Sequence, residues 1–227
     1  MKLSIVIPAY NEKDTIREIV SRVRATPFEK EIIIVDDCSR DGTRAKLEAL
    51  PLSPDLVIVH HEVNQGKGAA IRTAQKRVSG DVVVIQDADL EYSPTEFPRM
   101  LKPIADDRAD AVFGSRFSGS EILVDTFVHY CGNKVLTLAS NLCSNLHLTD
   151  METCYKMMRA DIFKSFELEC SRFGIEPELT AKLAKRRCRI YEVPIAYQAR
   201  SFDEGKKIGW KDGVAACWYI IKYNLLG

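Results

Sequence analysis

The residues with the clearest chemical potential are two carboxylates, Asp87 and Asp89, in the stretch DVVVIQDADLE at residues 81–91. The run VVVI ahead of them is apolar and β-branched, the pattern of a strand buried on both faces of a sheet. If extended backbone continued past it, side chains two apart would project to one side, with Cα atoms roughly 6.6 Å apart. Two carboxylates that close repel unless a cation lies between them. A hard divalent ion, Mg²⁺ or Mn²⁺, suits oxygen ligands of this kind. Taken alone, the tripeptide is better read as a surface turn after a strand, and the context must decide.

The surrounding pattern is regular. Apolar, β-branched runs at residues 3–7, 31–35, 56–59, 82–85 and 111–113 read as strands. Helical patterns fall between them, at residues 15–24, after the SRDGT turn at 39–43, and at 66–78 and 94–104. Strands alternating with helices at short spacing predict an α/β fold, a mostly parallel sheet with helices on both faces. In such a sheet the strands deliver their C-terminal ends to one edge, where ligands bind. Three acidic strand ends meet there: Pro8 to Glu12, Asp36-Asp37, and Asp87 to Glu91. Their convergence tips Asp87 and Asp89 toward a metal site.

The second half is less regular. Residues 115–126 read as a polar, mobile loop and 132–146 as a helix with Val135, Leu136, Ala139, Leu142 and Leu146 along one side. Residues 154–158 suggest a strand rejoining the sheet, 177–187 a helix, 189–193 a strand, 200–209 a charged loop and 211–225 a last amphipathic helix. Trp210, Val214, Cys217, Trp218, Ile221 and Leu225 form its stripe. Packing of that stripe on the core is the favoured expectation, and a membrane-surface role the sharper alternative. No repeat or linker interrupts the chain, so one domain is expected over 1–227, with a regular half at 1–114 and a less regular half at 115–227.

Composition excludes several classes. Lys plus Arg and Asp plus Glu both number 32, a formal net charge of zero that points away from nucleic acid. Seven scattered cysteines without a CxxC pair suggest reduced thiols in a cytoplasmic protein and no structural zinc. The N-terminal apolar run is too short for a signal peptide, and no stretch approaches the roughly 18 apolar residues of a membrane span. A soluble protein, or one peripheral on a membrane, is expected.

The ordered set IVIPAYNE, IIIVDDCSRDGT, NQGKGAA and VVVIQDADLE resembles the family 2 glycosyltransferases, of the GT-A fold, and within them the polyprenol-phosphate branch typified by dolichol-phosphate mannose synthase. The resemblance runs through most of the chain. It implies an inverting enzyme that uses a nucleotide-diphosphate sugar and Mg²⁺ or Mn²⁺. It implies that Pro8, Ala9, Tyr10 and Glu12 hold base and ribose, that Asp37, with Val35 beside it, meets the base edge, and that Asp87, Ala88 and Asp89 form the metal and nucleotide motif. Glu91 stands where some relatives use a polar third ligand. The NQGKG run lacks a GxxxxGK[ST] pattern, but its glycines permit close approach of a ligand to a helix start, with Lys67 a candidate nucleotide contact. Arg116 matches a family arginine at the acceptor phosphate. Arg200, with Lys206 or Lys207, matches a loop that closes over the diphosphate.

The acceptor side leaves alternatives open. A polyprenyl phosphate needs cationic guides and little base catalysis, because a phosphate monoester is already anionic near neutral pH. A carbohydrate or protein hydroxyl needs a general base, for which Asp150 and Glu152 stand in the region where other family 2 enzymes place acceptor-side acids. His129 is a further candidate facing the acceptor, or a structural histidine. A nucleotide-sugar-binding or regulatory subunit is the reading from another class.

Overall fold

The computed structural model describes residues 1–51, 53–119, 122–124, 126–172, 174–199 and 210–226, with backbone alone for 210–212. In chain order the elements are β1 (Leu3–Ala9), α1 (Ile16–Arg24), β2 (Lys30–Asp36), α2 (Thr43–Glu48), β3 (Leu56–His60), α3 (Lys67–Gln75), β4 (Val82–Ile85), α4 (Phe97–Ala105) and β5 (Ala111–Ser115). Then follow α5 (Phe127–Ser144), β6 (Lys156–Arg159), α6 (Ala160–Lys164), α7 (Ile175–Lys185), β7 (Ile190–Pro194), α8 (Trp210–Ile221) and a π-helical turn, Lys222–Leu226.

The seven strands form one sheet in the order β3-β2-β1-β4-β6-β5-β7. Every pairing is parallel except those of β6, which runs antiparallel between β4 and β5. The strand expected near 154–158 therefore does rejoin the sheet, in its interior. It draws a segment of the second half between two strands of the first.

Alternation along the strands explains two cores. Ile5, Ile7, Ile32, Ile34 and Val84 face one side, where α1 and α4 add Ile16, Ile19, Val20, Val23, Phe97 and Met100. Val6, Ile33, Val35, Val83 and Ile85 face the other, covered by Ala70, Ile71 and Ala74 of α3 and Ile175, Leu179 and Leu183 of α7. Period-two side chains with apolar residues at both parities require cover on both faces. Each fully buried Ile or Val contributes about 1.5–3 kcal/mol relative to exposure.

Helices α5 and α8 are built the other way round. The helix expected at 132–146 begins earlier, at Phe127, and its apolar side does not face the core. Val128, Val135, Leu138 and Leu142 are exposed, whereas Thr137 and Ser140 are buried. The expectation that the last helix packs its Trp218 stripe on the core is likewise overturned. Val214, Trp218, Ile221 and Leu225 are exposed, and Ala216, Ile220 and Tyr223 make the inward contact. Among the described residues no helix is long and apolar enough to cross a membrane. All seven cysteines are free thiols. The expected loop at 200–209, with Arg200, Lys206 and Lys207, lies outside the described residues, as do parts of the loop expected at 115–126 and the side chain of Trp210.

Candidate active site

The order β3-β2-β1-β4 reverses direction between β1 and β4, and a crevice opens at such a switch point beyond the strands' carboxyl ends. Pro8 to Glu12 and Asp87 to Asp89 flank it. An open cleft of about 510 Å³ lies there, lined among others by Glu12, Asp41, Asp89, Leu90 and Gln198. Tyr10 is 36 % exposed beside it, while Glu12 is nearly buried and accepts a 2.9 Å bond from Thr15 Oγ1. Pro8 is half-buried. Ala9, Val35 and Ala88 are buried in the apolar cores, so only their backbones are available to a ligand. Asp41 lies in the SRDGT turn at 39–43. It does cap the turn, bonding Thr43 and Lys13, but it also lines the cleft.

Asp37 is buried and directed inward. One carboxylate oxygen lies 2.7 Å from His61 Nδ1 and accepts the Gln65 N–H at 2.9 Å. The other accepts the Gly66 N–H at 2.7 Å. Its carboxylate thus fastens the 64–66 loop to β2. The glycines of that loop serve the same closure, which corrects the expectation that they admit a ligand. A Cβ on Gly66 or Gly68 would collide with the carbonyl of Ser171 or Cys170, and Gly66 adopts φ 93°. The chain's own backbone makes the close approach.

Strand β4 stops at Ile85, so the extended backbone needed to align Asp87 with Asp89 is absent. Ala88 and Asp89 form a turn, and Leu90 adopts φ 66°. Asp87 pairs with Lys67 Nζ at 2.8 Å, and the same ammonium reaches Glu176 at 3.1 Å. Burial works against the charge on Lys67, but Asp87 and Glu176 hold its pKa well above the ordinary lysine value. Asp89 accepts the Glu91 N–H at 3.1 Å, and Glu91 accepts from Tyr197 Oη at 2.9 Å. Among the described residues no three His, Cys, Asp or Glu side chains converge as metal ligands, so Asp87, Asp89 and Glu91 are not assembled as a triad. The donor set still fits Mg²⁺ or Mn²⁺. Asp87 and Asp89 are hard oxygen ligands on one turn, and an ion of this type ordinarily takes its remaining ligands from substrate phosphates and water.

Arg116 and Asp150 form a bidentate pair. Nε and Nη2 each donate to the carboxylate at 2.7 Å, and the Arg116 backbone N–H adds a third bond at 3.0 Å. Asp150 is wholly buried. Burial disfavours the arginine charge, yet Tyr92 and Asp150 keep its pKa well above the usual value. The guanidinium also stacks over Phe117 and Tyr197 at 5.4 and 5.3 Å. Helix α5 supports this side with its polar face. Asn133 accepts from Arg116 Nη2 at 3.4 Å, Lys134 donates to the Thr149 carbonyl, and Thr137 Oγ1 accepts the Met151 N–H. His129 is half-buried in the first turn of α5, its Nδ1 2.9 Å from Thr126 Oγ1.

Glu152 differs from Asp150. Its Oε1 is buried with no hydrogen-bond partner. Burial, reinforced by the charge of Glu176, pushes its carboxyl up to about 7. Lys156, wholly buried, donates to the carbonyls of Met151 and Thr153 and shapes this loop from below. His61, Lys156, Glu176 and Tyr197 were not singled out by sequence. His61, Glu176 and Tyr197 act through partners distant in the chain, whereas Lys156 bonds carbonyls three and five residues back; only the charged or aromatic side chain itself was available as a signal.

The family model described as "Glycosyl transferase family 2" matches residues 4–166. The chain belongs to that family. This glycosyltransferase is 29 % identical over 222 residues to undecaprenyl-phosphate mannosyltransferase of Micrococcus luteus, covering 92 % of this chain and 88 % of the relative. It is 28 % identical over 218 residues to dolichol-phosphate mannosyltransferase of Pyrococcus furiosus, covering 92 % of this chain but 60 % of that longer protein. Among solved structures, mannosyl-3-phosphoglycerate synthase from Rubrobacter xylanophilus superposes with a TM-score of 0.77 at 18 % identity, over 98 % of this chain and 72 % of that one. Glucosyl-3-phosphoglycerate synthase from Mycobacterium tuberculosis, in complex with Mn²⁺, UDP and phosphoglyceric acid, gives 0.72 at 19 %, over 99 % and 78 %. The fold is GT-A.

Proposed function

We propose that this glycosyltransferase moves a sugar from a nucleotide-diphosphate sugar to a polyprenyl phosphate, with inversion at the anomeric carbon. Residues 1–114 serve the donor and 115–227 the acceptor within one catalytic unit that works at the cytoplasmic membrane face. The observation that carries the acceptor reading is the Arg116–Asp150 pair. A hydroxyl acceptor requires a general base. Asp150 is buried, and three N–H donors occupy its oxygens, so it is poorly placed for that role. A phosphate acceptor, with a second pKa of about 6, attacks without a base and needs a cation to guide it. Arg116 supplies that cation, and among the described residues no acceptor takes its Nη1. The relatives from Micrococcus and Pyrococcus, named for undecaprenyl and dolichol phosphates, support the same acceptor class.

On the donor side, Tyr10 and Glu12 receive base and ribose at the cleft. Asp87 and Asp89 would hold Mg²⁺ or Mn²⁺, which when bound offsets charge on the leaving diphosphate. Lys67 orients Asp87 through their 2.8 Å ion pair. Arg200 and one of Lys206 and Lys207 add cationic cover to the diphosphate.

The test joins calorimetry with turnover of undecaprenyl phosphate. Asp89→Ala is expected to abolish metal-dependent nucleotide-sugar binding, and Asp150→Asn to retain chemistry in protein that remains folded. Equal binding by Asp89→Ala and wild type, with or without EDTA, would count against the metal reading. A second reading, transfer to a hydroxyl, is favoured by Glu152, whose pKa of about 7 and unpartnered oxygen suit a general base. Near-complete loss of turnover in Glu152→Gln, with nucleotide-sugar binding intact, would select it.

A further inference from the structure

Tyr197 touches both groups of residues that the transfer needs. Its Oη donates to Glu91 Oε2 at 2.9 Å, and its ring centroid lies 5.3 Å from the Arg116 guanidinium carbon. Its backbone is tied to the same turn. Tyr92 and Tyr197 form an isolated antiparallel bridge, and the Gln198 N–H donates to the Glu91 carbonyl at 3.0 Å. Glu91 in turn gives its own N–H to Asp89 at 3.1 Å. Gln198, the next residue along, lines the open cleft together with Asp89. One side chain therefore joins the carboxylate turn to the arginine assigned to the acceptor phosphate.

The support beneath Tyr197 is a column of aromatic rings. Tyr197 packs on Tyr92 with ring centroids 5.2 Å apart, Tyr92 on Tyr155 at 5.1 Å, and Tyr155 on Phe97 at 6.0 Å. Tyr92, Tyr155 and Phe97 are buried. Tyr155 Oη lies 3.0 Å from Gln86 Oε1 and 2.8 Å from the Ser93 carbonyl, which flank the turn on either side. Close-packed rings leave little room for the turn and Arg116 to move apart. Packing accounts for the ring at 197, since phenylalanine would fill the same space. It does not account for the hydroxyl, which serves only the bond to Glu91.

We propose that Tyr197 is a positioning residue that holds Arg116 and the Asp89–Glu91 turn at a fixed separation, so that acceptor phosphate and donor sugar meet in attacking geometry. The inference rests on the polyprenyl-phosphate reading and deepens it. In that reaction a phosphate oxygen bonds the anomeric carbon as the nucleoside diphosphate leaves with the bonding pair. The reacting atoms must lie about 3–3.5 Å apart, and a misplacement of about 1 Å costs about a hundredfold in rate. A tie between two binding sites acts on kcat, because each site keeps its own ligand contacts when the tie is cut.

The experiment uses the full chain with Mn²⁺, GDP-mannose and UDP-glucose as donors, and farnesyl phosphate in detergent as acceptor. Tyr197→Phe removes only the bond to Glu91. Its kcat should fall roughly tenfold, with both KM values within about threefold of wild type. Calorimetry with Mn²⁺ and GDP or UDP, and separately with farnesyl phosphate, should show each ligand bound as in wild type. Tyr197→Leu also removes the ring beside Arg116 and should in addition bind farnesyl phosphate roughly fivefold more weakly. In a Glu91→Ala background, Tyr197→Phe should have no further effect on kcat, because the tie is already cut. A wild-type kcat in Tyr197→Phe, or additive losses in the double variant, overturns the proposal. So does a loss of activity that only matches a loss of folded protein, since Tyr197 would then serve packing alone. No transfer to farnesyl phosphate by the wild type defeats the acceptor reading and this proposal with it. Wild-type transfer with an unaffected Tyr197→Phe defeats the proposal alone.

Discussion

Helices α1 and α5 use similar apolar side chains in opposite directions. In α1, Ile16, Ile19, Val20 and Val23 are buried and charged residues face out. In α5, Val128, Val135, Leu138 and Leu142 face out, and Asn133, Thr137 and Ser140 face in. Helix α1 covers an apolar core, whereas α5 lines a polar site. The inner side of α5 must bond Arg116 and the backbone of residues 148–151, and an apolar surface there would leave those groups unsatisfied. The two halves treat carboxylates differently as well. Glu31 is fully bonded by Ser4, Ser79 and Gly80; burial alone would raise its pKa, but these bonds hold it at about 2. Glu152 lacks such donors and rises to about 7.

The contrast can be broken by measurement. The largest effect is expected at the Arg116–Asp150 pair. Arg116→Ala leaves a buried carboxylate unpaired and should cost about 3–5 kcal/mol in urea unfolding, with part of the loss recovered by adding Asp150→Asn. In α1, Ile19→Ala should cost about 2–5 kcal/mol through the cavity it leaves. Glu152→Gln tests the raised carboxyl. A group whose folded pKa lies above its unfolded value stabilises the fold while protonated in both states, below about 4.5, and loses that contribution as pH rises through about 7. The variant should therefore gain stability over wild type on going from pH 4.5 to pH 8, by an amount on the order of 2 kcal/mol. The smallest effect is expected from Leu138→Ser, within about 0.5 kcal/mol, because that side chain already meets solvent. A loss at Leu138 equal to that at Ile19 would show that α5 is covered after all.

Much of the fold was legible because strand patterns are local. The β-branched runs ending at Ile7, Val35 and Ile85 mark strands whichever helices cover them, and the turns after them carry the acids at the crevice. What local pattern does not contain is direction and partnership. The stripe through Val135 and Leu142 has helical periodicity, but periodicity is blind to which side faces the core. Asp37 reads as a ligand-facing acid, yet His61 and the 64–66 loop take up its carboxylate. The same holds for Glu91, bonded to Tyr197 across 106 residues of chain.

By itself the sequence determined the α/β class, the parallel strands within residues 1–114 and the place of the paired carboxylates after β4. These follow from side-chain period and from the stop of an apolar run, both short-range properties. Only the tertiary structure decided that Lys67 bridges Asp87 and Glu176, that Arg116 locks Asp150, and that α5 turns its apolar face outward. Those outcomes depend on charges and polar groups being desolvated together by elements far apart in the chain, and that energy exists only once the elements have met.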